Sequence, residues 1–162
     1  MKKTFTILCL ISLALAYTSC KEKHTEASML LDDIRGYYES GDYQSALSAV
    51  DSLRRTYPDA INQRKEALVI FQKASLAIAQ QNLAKVDSTL MATENELAML
   101  KPQVEEHRSQ GVATAQELQH YNKLRAFRDS LQGIFNMECA KIKYIHKRQE
   151  ENEAVEKSSN GN

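Results

Sequence analysis

The stretch VIFQKASLAIAQQNLAKVDSTLMATENELAMLKPQV, residues 69–104, decides the fold. Every seventh residue in it is aliphatic: Val69, Leu76, Leu83, Leu90, Leu97 and Val104. A helix turns once in about 3.6 residues, so a strict repeat of seven keeps one narrow apolar seam toward a partner helix. The residues between the rungs are largely Ala, Gln, Lys, Glu and Leu, which lose little rotamer freedom in a helix. The repeat specifies a shape and carries no chemistry.

A partner for the seam lies downstream in the same chain. Pro102 and Gly111 bracket an expected break around His107, so the first long helix is expected over residues 60–100, about 60 Å at 1.5 Å per residue. Thr114-Ala-Gln-Glu117 then reads as a capping box, with the Thr oxygen taking a backbone N–H and Glu117 reaching back. Leu118, Tyr121, Leu124, Leu131, Phe135, Ile142 and Ile145 follow at heptad-like spacing. If the chain folds back near His107, Leu90 meets Leu124, Leu83 meets Leu131, and Val69 meets Ile145, all with one constant sum of residue numbers. In that register Ala79 faces Phe135 and Thr93 faces Tyr121, the small-with-large layering that dense packing needs.

A parallel zipper of two chains would set Ala79 and Thr93 against themselves and leave Pro102 and Gly111 without a role. The intramolecular hairpin is therefore preferred. Its seam has polar interruptions: Leu76 faces Glu138, Gln72 faces Ile142, and Val86 faces Arg128. A two-helix hairpin has a thin core, which leads to the expectation of a homo-oligomer or a partner helix along its side.

Upstream, Leu30, Ile34, Tyr37 and Tyr38 stand at helix spacing, followed by Ser40-Gly41-Asp42-Tyr43. Gly41 suits the left-handed end of one helix and Asp42 caps the next. Tyr43, Ala46, Leu47, Val50 and Leu53 form the face of that second helix, which Tyr57-Pro58 stops. Tyr37, Gly41-Asp42-Tyr43, Ala46-Leu47 and Pro58 resemble one tetratricopeptide repeat, a helix–turn–helix unit of about 34 residues. The form Gly-Asp-Tyr-x-x-Ala ending in Tyr-Pro is similar to repeats in BamD-type outer-membrane assembly lipoproteins.

The resemblance covers residues 27–60. It implies a small Ala46 at the helix crossing with aromatics filling the groove beside it. Ala67, Leu68 and Phe71 match the start of a second unit, but Ser75-Leu76-Ala77 replaces its turn, and the helix runs on into the ladder. One repeat needs a neighbour to bury its face, and that helix supplies one.

At the N-terminus, Lys2 and Lys3 precede an apolar stretch, Phe5 to Ala16, too short to span a bilayer, and then Tyr17-Thr18-Ser19-Cys20. Small residues before this cysteine resemble a bacterial lipoprotein signal, with Tyr17 in place of the usual Leu as in the looser signals of Bacteroidota. The resemblance implies removal of residues 1–19 and a fatty-acyl anchor, palmitate or a relative, on Cys20. Residues 20–26 then form a tether. Lys21 after the cysteine implies the outer membrane, and the lack of an acidic run there favours the periplasmic face. The competing reading is ordinary cleavage after Ala14-Leu15-Ala16, in which case a Cys20–Cys139 bridge is conceivable. With Cys20 lipidated, Cys139 is the one other mature cysteine, and a small apolar interface residue is its simplest role.

Twenty-one Lys and Arg balance 21 Asp and Glu, and only five Gly, two Pro and no Trp are present. That composition gives an all-α expectation. Within it the resemblance implies a repeat-like helix-turn-helix over 27–60, the heptad spacing predicts an antiparallel two-helix coiled-coil hairpin over 61–150, and a disordered acidic and polar tail is expected over 151–162. It gives no sign of a nucleic-acid surface. The basic cluster Lys141, Lys143, Lys147 and Arg148 with Tyr144 is followed by acidic residues that cancel its field within a Debye length.

His24, His107, His120 and His146 each stand apart from other metal ligands, and no phosphate loop or nucleophile elbow occurs. No catalytic residue, metal site or cofactor is expected. The sequence reads as a lipid-anchored envelope protein, an adaptor or assembly subunit and not an enzyme, with another envelope protein or itself as partner. The alternative is a structural coiled coil whose role is self-association or spacing.

Overall fold

The computed structural model describes residues 25–160, and the leader, Cys20 and the start of the tether lie outside them. The protein is all-α, with four helices and no strand among the described residues. They are α1 (25–39), α2 (Tyr43–Thr56), α3 (Ile61–Ser109) and α4 (Ala115–Asn160). By contacts the chain divides into unit 1, Met1–Ser75, and unit 2, Leu76–Asn162, so α3 contributes to both.

Unit 1 is built on three short apolar faces. Ala27, Leu31 and Ile34 on α1, Val50 and Leu53 on α2, and Ala60 and Ala67 around the start of α3 form its buried core. Tyr57, Ile70 and Phe71 pack against this cluster, and the Arg54 guanidinium lies 4.7 Å above the Phe71 ring. The unit extends past residue 60 because α3 supplies Ala67, Ile70 and Phe71 to its core.

The turn from α1 to α2 is specified by sequence. Gly41 has φ +81, a conformation open to glycine at little cost. Its N–H bonds to the Tyr38 carbonyl, and the Asp42 N–H bonds to the Tyr37 carbonyl, the paired closure of a Schellman motif. Asp42 then caps α2 by accepting the Ser45 N–H at 3.1 Å.

In unit 2 a stripe of covered residues on α3 runs through Leu76, Ala79, Leu83, Val86, Leu90, Thr93, Leu97, Leu100 and Val104, spaced alternately by three and four, with Ala77 and Ile78 also half-buried at its start. On α4 the same alternation runs through Tyr121, Leu124, Arg128, Leu131, Phe135, Glu138, Ile142 and Ile145. Thr93 is tolerated in this stripe because its hydroxyl donates to the Thr89 carbonyl at 2.8 Å. His107 Nδ1 lies 2.8 Å from Glu117 Oε1, and His120 Nε2 lies 3.7 Å from Glu96 Oε1. Contacts that widen in sequence on both sides of the turn mean that α4 runs back antiparallel to this part of α3.

Three expectations are corrected. First, α3 does not break at Pro102 but continues through it to Ser109. Proline removes one N–H bond, here on an exposed stretch where water can serve the freed Ala98 carbonyl. The chain turns instead at Gly111, with φ +69, through a second Schellman closure in which Gly111 N–H bonds to Arg108 and Val112 N–H to His107. Second, Glu117 gives its N–H to Thr114 Oγ1 as expected, but its carboxylate turns to His107 and does not reach back to the cap.

Third, α4 does not end near residue 150 in a disordered tail but continues to Asn160. Arg148 and Lys147 pair with Glu151 at 2.7 and 3.9 Å across one turn, and Glu, Ala and Lys are favourable helix residues.

Candidate interaction surfaces

The repeat-motif residues cluster at the unit 1 turn with different degrees of cover. Ala46 is fully buried, Tyr43 is half-buried with its ring 5.6 Å from that of Tyr38, and Gly41 and Asp42 are exposed at the turn. Tyr37 is 42% exposed, so its ring does not fill the core, while its carbonyl helps close the turn. Pro58 is exposed, and its carbonyl accepts Arg64 Nη1 at 2.5 Å.

Hydrogen bonds to the Ser45 side chain and backbone hold the Asp42 carboxyl below its ordinary pKa. The Tyr57 phenol is pushed above its ordinary value by burial and by donating to Glu26 at 3.1 Å.

Val69, expected as the first rung of the seam, is 45% exposed and lies in unit 1. Here α3 buries the face of Ala67 and Ala74, and a residue two positions from Ala67 points well away from that face. The remaining seam residues are all covered: Leu90 and Leu131 are buried, and Leu76, Leu83, Leu97, Leu124 and Phe135 are half-buried.

Exposure of Val69 completes a groove of about 380 Å³ in unit 1. Tyr38, Val69 and Ile70 supply its apolar part, and Arg35, Glu39, Glu66 and Lys73 its charged rim. Arg35 bridges Asp32 at 2.6 Å and also pairs with Glu66, which raises its already high pKa further. Rim charges of both signs around an apolar strip suit a helix or peptide with an apolar face, in which buried anchors supply affinity and the rim supplies orientation. The sequence reading missed this groove because it assigned Val69 to the seam.

A second groove, of about 650 Å³, lies in unit 2 between Leu97 and Val104 on α3 and Tyr121 and Arg128 on α4. Arg125 stands 5.8 Å from the Tyr121 ring centre. Of the four cations that line it, two have a carboxylate at hand: Lys101 lies 3.8 Å from Glu105, and Arg128 lies 2.7 Å from Asp129.

Among the described residues no group of three or more His, Cys, Asp or Glu is placed to hold a metal ion. His107 and His120 each face a single carboxylate, and Cys139 is a half-buried free thiol. No described helix is long and apolar enough to cross a membrane. Comparison with known protein families, with curated proteins and with solved structures finds no match to this chain.

Proposed function

We propose that this chain is a lipid-anchored cell-envelope protein that binds another envelope protein through a helical surface, as an adaptor or assembly subunit with no reaction of its own. The observation that carries the reading is the unit 1 groove, an apolar strip of Tyr38, Val69 and Ile70 within a rim of mixed charge. The leader pattern ending at Cys20 supports a lipid anchor, with the outer membrane, periplasmic side, as the location.

Unit 1 is read as a single tetratricopeptide-like hairpin closed by the start of α3. The positive φ of Gly41, the Asp42 cap and the fully buried Ala46 support this. Unit 2 is read as an antiparallel coiled-coil hairpin on the alternating three-four spacing of its covered residues. A second reading, a structural coiled coil that self-associates, draws support from the exposed apolar side chains of α4, Phe127, Ile134 and Met137.

A photo-crosslinking residue at Val69 in the full-length chain, expressed in its own cells, tests the adaptor reading. One envelope protein is expected in the Val69 adducts and absent from those of Met91, an exposed apolar position in unit 2. Adducts at Val69 that do not exceed those at Met91 would overturn it.

A further inference from the structure

The unit 2 groove has both a direction and a sign. Glu94, Ala98, Lys101, Glu105 and Arg108 on α3 line it at alternating spacings of four and three, so that wall is a single helix face. From Glu94 to Arg108 it runs about 21 Å at 1.5 Å per residue. Tyr121, Arg125 and Arg128, again four and three apart, make the α4 wall. Half-buried Leu97 and Tyr121, with exposed Ala98, give the groove its apolar surface. The seam is half open along this side of the hairpin, and a third helix laid there would close it over its length. A small anion would fill only a fraction of the space.

Charge selects which helix. Lys101, Arg108, Arg125 and Arg128 line the groove against Glu94 and Glu105. Lys101 has Glu105 and Arg128 has Asp129, whereas neither the Arg108 nor the Arg125 guanidinium has a carboxylate or hydrogen-bond acceptor in reach among the described residues. Arg125 lies instead beside the Tyr121 ring, a cation–π contact that engages none of its N–H donors. Glu94 is the lining carboxylate left without a cation, so the unpaired charge is two guanidiniums against one carboxylate. An acidic helix answers that surplus, and a basic one is opposed by it. A second copy supplies no such helix: α3 carries six Lys and Arg against six Asp and Glu, and α4 eight against seven.

We propose that the unit 2 groove takes an acidic amphipathic helix of a partner protein. Its Leu and Ala face lies on Leu97, Ala98 and Tyr121, and Asp or Glu on its flanks reach Arg108 and Arg125. The site shares no residue with the unit 1 groove, so it goes beyond the adaptor reading and stands or falls apart from it.

The probe is a synthetic helix of about 18 residues, built on Ala and Leu with Glu along both flanks, and a twin carries Lys in place of Glu. Each is titrated by fluorescence anisotropy against the full-length chain in detergent. The glutamate peptide is expected to bind at least about fivefold tighter than its twin at low salt, with the preference shrinking as salt rises. The zero formal net charge of the chain gives no such preference by itself. Arg108→Glu with Arg125→Glu is expected to invert the order, and Arg108→Gln with Arg125→Gln to level it. Equal binding of the two peptides to the wild-type chain, or a preference that both double variants keep, overturns the proposal. So does a glutamate peptide that does not bind at all.

Discussion

Glu138 Oε1 accepts a hydrogen bond from Lys141 Nζ at 2.7 Å, while Glu138 Oε2, also buried, has no hydrogen-bond partner among the described residues. The side chain of Glu138 is 4% exposed and that of Lys141 49%, so the carboxylate has left water and its cation has not. A buried ion that is half satisfied destabilises relative to a well-packed apolar side chain. Its position in the α4 stripe also asks for an apolar residue.

Glu138→Leu is therefore expected to raise stability by about 1–3 kcal/mol, and Lys141→Ala to lower it by leaving the buried carboxylate unpaired. Chemical denaturation of both variants checks this. A destabilised Glu138→Leu would show that the carboxylate has a partner that outweighs its desolvation.

The seam begins at Leu76 and not at Val69, which gives a contrast along one helix. Leu90→Ala, at a buried rung, is expected to cost about 2–3 kcal/mol. Val69→Ala, at an exposed groove position, is expected to cost less than about 0.5 kcal/mol. Equal losses in urea unfolding would mean that the seven-residue ladder extends into unit 1 after all.

Much of this was legible in the sequence, because the seven-residue period and the Gly41-Asp42 turn are local signals that packing left intact. The covered stripes of Leu76 to Val104 on α3 and of Tyr121 to Ile145 on α4 follow a three-four alternation that helix geometry alone sets. Val69 was misassigned because periodicity cannot show when a helix changes the neighbour that it buries against. Pro102 misled because the rule that proline stops helices is a statement about hydrogen bonds, and a single freed carbonyl in an exposed stretch is a modest loss. The unit 1 groove was invisible because it depends on which side chains remain uncovered once α1, α2 and α3 have met.

The α2 cap makes stability depend on acid. Hydrogen bonds from Ser45 depress the Asp42 pKa in the folded chain, so its contribution is present above the unfolded value of about 3.9 and is lost as pH falls through the lower folded value. Asp42→Asn keeps an acceptor at the cap and removes the titration. The wild-type protein is expected to melt higher than this variant near pH 6, with the gap closing below about pH 4. A gap that stays constant from pH 6 to pH 2 would mean that the charge of Asp42 contributes nothing.

Location and partners in this account depend on the anchor, which metabolic labelling with a fatty acid tests most directly. The full-length wild-type chain is expected to incorporate label and the Cys20→Ala chain to carry none. Label that persists in Cys20→Ala, or a wild-type chain that takes up none, would contradict the account.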